Sequence, residues 1–208
     1  MSNGKRVLVG CEYSGIVRSA FEKLGWDAWS CDLLPTEIPG NHYQCDLLEI
    51  FEEKQHWDLG IFFPMCTFLT YAGTAHWTKP GRTMKRIEAA KFFMKCYDSD
   101  INNVAVENPL GVMNKIFREP DQMIHPFYFG DNDLKRTCLW LKNIPKLKWV
   151  KENDLFENRT SVNKPPPPTY SSEREKKIFY RFNQINFARQ GAQQNISGYS
   201  QRNGNSMD

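Results

Sequence analysis

No stretch of the 208-residue sequence approaches the roughly 18 consecutive apolar residues that a membrane-spanning helix needs, and the first ten residues, MSNGKRVLVG, hold too short an apolar run for a secretory signal. A soluble, cytoplasmic protein with no membrane partner is expected. Close cysteine pairs are also missing. Cys11, Cys31, Cys45, Cys66, Cys96 and Cys138 stand singly, without the spacing that zinc sites or secreted disulfide frameworks use. Six reduced thiols and no metal site are the expectation. Residues 190–208 have almost nothing apolar to bury, which reads as a polar, mobile tail.

Acidic residues run short between 135 and 189, where Lys135, Arg136, Lys142, Lys146, Lys148, Lys151, Arg159, Lys164, Arg174, Lys176, Lys177, Arg181 and Arg189 outnumber them. A solvated surface carries such charges too. The interleaved Trp149, Phe156, Tyr170, Phe179, Tyr180 and Phe182 tilt the reading toward a phosphate backbone with bases to stack on. A proline run over 164–168 predicts a stiff linker, and residues 173–189 can form an amphipathic helix.

What is present in quantity is core: 40% of the residues are hydrophobic and 13% aromatic, enough for one sizeable domain. The expected division is a main domain over 1–150, a basic, Pro-rich segment with the helix over 151–189, and the tail. The centre of the main domain is DLGIFFPMCTFLTYAG at 58–73. Its apolar run from Leu59 to Phe63 reads as a buried strand stopped by Pro64. The next loop therefore starts at a strand's carboxyl end, where open α/β sheets bind ligands, and its first reactive side chain is Cys66. That thiol can be a nucleophile or a small buried hydrophobe.

Upstream, Val7-Leu8-Val9 predicts a first strand, and Gly10-Cys11-Glu12-Tyr13-Ser14-Gly15 a turn into a helix, with Ser14 as N-cap, Ile16, Val17, Ala20, Phe21 and Leu24 as its apolar face and Gly25 as its stop. Such a turn offers backbone N–H groups to a nucleotide-like cofactor or a carboxylate. A second strand over 26–31 ends on Asp32, at the spacing of a ribose-binding acid, and a third over 42–45 ends on Asp46. Either acid can be a simple cap, but two at successive strand ends favour cofactor binding. A short helix follows Asp46. Residues 70–81 read as turns, residues 82–97 as the best helix, with Met84, Ile87, Ala90, Phe93 or Met94, and Tyr97 as its apolar stripe. A strand over 103–106 leads to a loop Glu107-Asn108-Pro109, residues 121–130 read as an aromatic loop, and 135–141 as a last strand.

Taken together, these motifs resemble the cytosine-C5 DNA methyltransferases, and more closely short phage-encoded methyltransferase-like proteins. Residues 7–21 are similar to the family's first motif around S-adenosylmethionine. Asp32 matches the acid on the ribose and Asp46 the acid near the adenine. Pro64-Met65-Cys66 resembles the Pro-Cys catalytic motif, with Met65 intervening and Thr67 following. Val106-Glu107-Asn108 is similar to the Glu-Asn motif, and Lys135-Arg136 to the arginine-bearing one.

The resemblance implies a Rossmann-like S-adenosylmethionine-dependent methyltransferase fold of class α/β, a mainly parallel sheet with helices on both faces. It implies S-adenosyl-L-methionine on Gly10, Glu12, Tyr13, Ser14, Gly15, Asp32, Asp46 and Pro64. Cys66 would attack C6 of the pyrimidine, Glu107 would stabilise or protonate N3, Asn108 would hold the loop, and Arg136 would lower the thiol pKa or touch the base O2. Only residues 142–172 are left for target recognition. A free pyrimidine nucleotide is therefore an alternative substrate to DNA, and a catalytically weak binder of nucleic acid or cofactor is a further alternative.

Overall fold

The computed structural model describes residues 4–71, 74, 77–125 and 136–147. Two all-apolar runs form its spine. Strand β1 (Arg6–Gly10) and strand β4 (Leu59–Phe62) lie side by side and parallel, with Val7, Leu8, Val9, Ile61 and Phe62 almost wholly out of water. Strands buried on both faces read as unbroken apolar runs because neither face can tolerate a charge.

Around this pair the chain lays β2 (Asp27–Asp32), β3 (His42–Gln44), β5 (Val104–Pro109), β6 (Gln122–Ile124) and β7 (Thr137–Lys142) into one seven-stranded sheet of order β3-β2-β1-β4-β5-β7-β6. The pairs from β3 through β5 are parallel, whereas β7 runs antiparallel to both β5 and β6. The sheet is therefore mixed.

Alternation along the strands assigns each face its helices. Val7, Val9, Ala28, Leu59 and Ile61 meet Val17, Ala20 and Phe21 of helix α1 (Ile16–Glu22). Leu8, Phe62, Val104, Val106 and Trp140 face the other way, onto Ile50 of α2 (Leu47–Glu52) and onto Phe93 and Cys96 of α3 (Arg82–Tyr97). Phe93 stands edge-on to Trp140 at 4.9 Å between ring centres, a favoured aromatic geometry. A single turn, α4 (Met113–Ile116), follows β5.

Several elements depart from the sequence expectation. Ser14 is not the N-cap of α1. Gly15 is, at φ 72°, and the Ile16 N–H donates to Glu12 Oε1 at 2.8 Å, with Ser14 Oγ a longer second acceptor at 3.3 Å. Glu107, Asn108 and Pro109 are not a strand-end loop but the last residues of β5, opposite Leu139, Cys138 and Thr137. Pro109 is tolerated there because its missing N–H falls at the strand's end.

Within the predicted loop over 121–130 lies β6. Its Gln122 is satisfied by Leu147, whose N–H and C=O both bond the side-chain amide at 2.8 Å. In α3 the expected bounds hold, yet Met84 and Ile87 are 60% and 42% exposed, so only the second half of the helix is packed on the sheet. The last strand starts at Thr137 rather than at 135. Lys135, the basic region over 148–189, the proline run and the tail lie outside the described residues.

Candidate active site

Strand order fixes where a site can form. From β1 the chain moves outward through β2 and β3, then returns to the other side of β1 with β4 and β5. At such a reversal the loops leaving the two central strands part in opposite directions, which opens a crevice at their carboxyl ends. Here those loops are the turn after Gly10 and the turn after Phe62.

The first turn is tightly built. A Cβ on Gly10 would meet Leu47 Cδ2 at 2.6 Å and Phe62 Cδ1 at 2.7 Å, so no side chain fits there. Cys11 takes a left-handed conformation, and the Glu12 N–H donates to Cys31 O at the end of β2 at 3.2 Å. Glu12 is 3% exposed. Its Oε1 accepts from the Ser14 hydroxyl and from Ile16 N, while its Oε2 is buried with no hydrogen-bond partner. Burial pushes the Glu12 carboxyl above its ordinary range, against the opposing pull of Ser14, the Ile16 and Val17 amides and Arg18.

Asp32 sits half-buried at the end of β2, where its Oδ1 accepts from Leu34 N at 3.0 Å. Asp46 is more fully committed. It is the N-cap of α2, accepting from Leu48 N at 2.9 Å, and its own N–H donates to Glu49 Oε1 at 3.3 Å in a reciprocal capping box. Tyr13 contributes its carbonyl, which accepts from Glu37 N at 2.9 Å and ties the turn to the loop after β2.

That loop is held by a residue the sequence reading passed over. Arg18 is fully buried, and its guanidinium donates to the carbonyls of Ile38 (2.6 Å), Pro39 (3.2 Å) and Asn41 (3.2 Å) and to Ser30 Oγ (3.3 Å), with Glu22 3.3 Å away as counter-charge. Gly40 faces this guanidinium, which lies 2.7 Å from where a Cβ would stand. The available signal was an arginine on the inward face of α1, between Val17 and Ala20.

Across the crevice β4 ends and Phe63 N donates to Gly10 O at 3.1 Å. Pro64 is buried, Met65 is 63% exposed, and Cys66 is half-buried, its carbonyl accepting from Leu69 N at 2.9 Å and Thr70 N at 3.0 Å. Asn108 reaches this turn from the neighbouring strand. It is 1% exposed, its Nδ2 donates to Pro64 O at 2.8 Å, and its Oδ1 is buried without a partner.

A second tie lies further along. Val112 N donates to Leu69 O at 2.8 Å, Thr70 and Gly111 form an antiparallel bridge, and a Cβ on Gly111 would lie 2.0 Å from Leu69 O. The Cys66 loop is thus fastened to the β5 exit at both of its ends. Glu107 is half-buried in β5. Arg136 is exposed just before β7, and because Thr137 pairs with Pro109 it stands at the same edge as Asn108.

The other five thiols are shifted toward their protonated form. Burial, above all, pushes Cys11, Cys31, Cys45 and Cys96 upward, and Cys138 up to about 11, with Glu107 the next contributor for Cys138. None of the six cysteines is in a disulfide. Among the described residues no three His, Cys, Asp or Glu side chains gather as a metal site requires, and no helix is long and apolar enough to cross a membrane.

Sheet order defines an α/β protein, with Glu12, Asp32, Cys66 and Asn108 at or just beyond the carboxyl ends of strands that flank a strand-order reversal. Comparison with protein-family models gives no match, and a search of curated proteins finds no similar sequence.

Proposed function

We propose that the protein transfers a methyl group from S-adenosylmethionine to C5 of a cytosine, or a related pyrimidine, in DNA through a covalent Cys66 adduct. The observation that carries this reading is the Asn108 Nδ2 bond to Pro64 O, which joins the Cys66 turn and the Glu107-Asn108 pair at adjacent strand ends. The strand order supports a Rossmann-like methyltransferase fold, since β3-β2-β1-β4-β5 is the order of doubly wound sheets that hold nucleotide cofactors.

The donor set fits the cofactor. Glu12 holds a buried carboxylate oxygen without a partner, suited to an ammonium or hydroxyl, and Asp32 has spent only one oxygen on its local turn. Gly10, packed against Leu47 and Phe62, and Gly15, packed against Arg18 and Ile38, hold the turn in shape; on this reading Tyr13, Ser14 and Pro64 would line the crevice, and Asp46 caps α2. The cofactor supplies the methyl group.

This chain's residues supply the rest. A pyrimidine C5 is too weak a nucleophile to displace a sulfonium. Addition of the Cys66 thiolate to C6 makes C5 enamine-like, with Glu107 meeting the charge or proton at N3. C5 would then take the methyl group from the sulfonium, which would leave as the neutral thioether; loss of the C5 proton to solvent and cleavage of the C6–S bond would return the thiolate. Arg136, at the same edge, is the candidate cation for activating the thiol or binding O2 of the base.

A 5-fluorocytosine substrate tests the route. Fluorine at C5 cannot leave as a proton does, so elimination is blocked and mass spectrometry should find a stable adduct on Cys66 and on none of the five other cysteines. Cys66→Ser should abolish it, since a hydroxyl is far less ionised than a thiol at neutral pH. Methyl transfer that survives Cys66→Ala would place the chemistry elsewhere. Parallel assays with DNA and with a free cytidine nucleotide distinguish the two substrate classes.

A further inference from the structure

Beside the Cys66 loop lies a group of cations that the proposed chemistry does not use. Lys79, Arg82, Lys85 and Arg86 lead into and occupy the first turns of α3, with Glu88 the only acid on that stretch. The Arg82 guanidinium lies over the Phe68 ring at 4.6 Å, with the Lys85 ammonium 5.8 Å from the same ring. Arg86 lies over Trp77 at 4.2 Å, and Trp77 in turn meets Tyr71 at 6.1 Å.

Rings pinned under guanidiniums hold these charges in place instead of leaving them to sweep through solvent. Ion pairs among the described residues are made by Arg6, Arg18, His56 and Arg118, and by none of these four cations. Their hydrogen-bonding capacity is also underused. Arg82 Nη2 donates to Thr67 O at 3.1 Å and Arg86 Nε to Phe68 O at 3.3 Å; Arg82 Nε and Arg86 Nη2 are buried, and the Nη1 groups, which make no hydrogen bond among the described residues, are the ones left for an outside anion. A guanidinium has five N–H donors, so neutral carbonyls take up only a small part of what is on offer.

We propose that this face, built from Phe68, Trp77, Lys79, Arg82, Lys85 and Arg86, is a docking surface for the phosphodiester backbone of DNA. The proposal rests on the nucleic-acid arm of the function above, and it assigns the contact to a surface other than the basic region over 135–189. Arg82 and Arg86 stand one helical turn apart, an axial rise of about 6 Å, over which one strand of a duplex carries about two charges.

A row of cations along a helix matches a line of phosphates better than a single anion, which would require donors converging on one point. Exposed Met65, next to Cys66 in sequence, and Tyr71, beside Trp77, offer apolar surface at 63% and 37% for an unstacked base. The row thus delivers a strand to the loop that carries the thiol. RNA shares this phosphodiester chemistry, so binding of RNA in preference to both DNA forms would overturn the proposed occupant.

Fluorescence anisotropy with labelled duplex and single-stranded DNA and RNA of one sequence, at stepped salt and without cofactor, reads the contact directly. Lys79→Gln/Lys85→Gln removes two exposed ammonium groups that make no hydrogen bond among the described residues, and its melting temperature should match wild type. The slope of log affinity against log salt should become shallower by about 0.9 per lost contact for a duplex, or about 0.7 for a single strand, with affinity at least roughly tenfold weaker at ~0.1 M salt. Arg86→Gln should act in the same direction, and Lys23→Gln, on the far end of α1, should change nothing.

Wild-type binding that ignores the lysine and arginine substitutions would overturn the proposed surface alone. No binding of any nucleic acid by wild type would overturn it together with the DNA-substrate reading. Equal displacement by polyglutamate would also overturn it, in favour of an acidic protein partner.

Discussion

Glu12 holds a carboxylate whose one oxygen has two donors and whose other oxygen has none. Burial raises its pKa, so the folded state binds this proton more tightly than the unfolded chain does. By linkage, the stability that comes from the protonated form is complete below the ordinary glutamate value of about 4.3 and is lost as pH rises through the higher folded value. Glu12→Gln removes the charge and keeps an oxygen for Ile16. Thermal melts should therefore show the variant more stable than wild type near neutral pH, with the gap closing toward pH ~4. A wild type more stable at pH ~8 would mean that Ser14, the Ile16 and Val17 amides and Arg18 together outweigh the effect of burial.

Residue types at strand ends were legible in the sequence because polar side chains interrupt apolar runs there, which is how Asp32, Cys66, Glu107 and Asn108 stood out. What each side chain bonds was not legible. Asp46 turned out to be engaged in a capping box with Glu49, and Arg18 organises a loop that its sequence neighbours do not reveal.

At the scale of elements, the decisive contact is between two backbones. Gly111 lets β5's exit lie against Leu69, and a methyl group there would be 2.0 Å from a carbonyl oxygen that cannot rotate away. Gly111→Ala should destabilise the protein by about 1–3 kcal/mol in urea unfolding, the usual range for overpacking. It should also lower the yield of trapped Cys66 adduct by more than the loss of folded protein explains, because the Cys66 loop loses its second anchor. An unchanged adduct yield per folded molecule would show that the Asn108 bond alone sets the loop.

Long periodic elements were readable in advance. Helix α3 spans the expected residues 82–97, since its periodicity runs for four turns. Short elements were not. Strand β6 has three residues and no room to display alternation, and the continuation of β5 through Pro109 depends on β7 pairing alongside it. The exposed Met84 and Ile87 show the same limit, because periodicity reports a helix's apolar stripe without reporting how far the sheet beneath it extends.

At the scale of the molecule, a ligand bound in the crevice would bridge the two halves of the sheet and so stabilise the fold by mass action. Saturating S-adenosylmethionine, at about 100 times its Kd, should add about 2.7 kcal/mol to unfolding. Asp32→Ala should weaken the binding measured by calorimetry by about 1–3 kcal/mol, the range for a hydrogen bond to a charged group. No heat and no stabilisation with wild type would remove the cofactor from the proposed function.

The parallel order was within reach of sequence because each strand is followed by a turn and helix or by a long connection. The reversed β7 was not, since nothing in TCLWLK states its direction.

That reversal bears on how the chain is made. Strand β7 comes last among the described strands in synthesis, yet it lies inside the sheet, between β5 and β6. While the ribosome has yet to emit Thr137, β6 has no neighbour to join and β5 presents its unpaired side to the surroundings. Unpaired strand edges are templates for association with other chains. The nascent protein therefore passes through a stage in which one flank of its sheet stays open until residues 137–142 emerge and zip it shut from the inside.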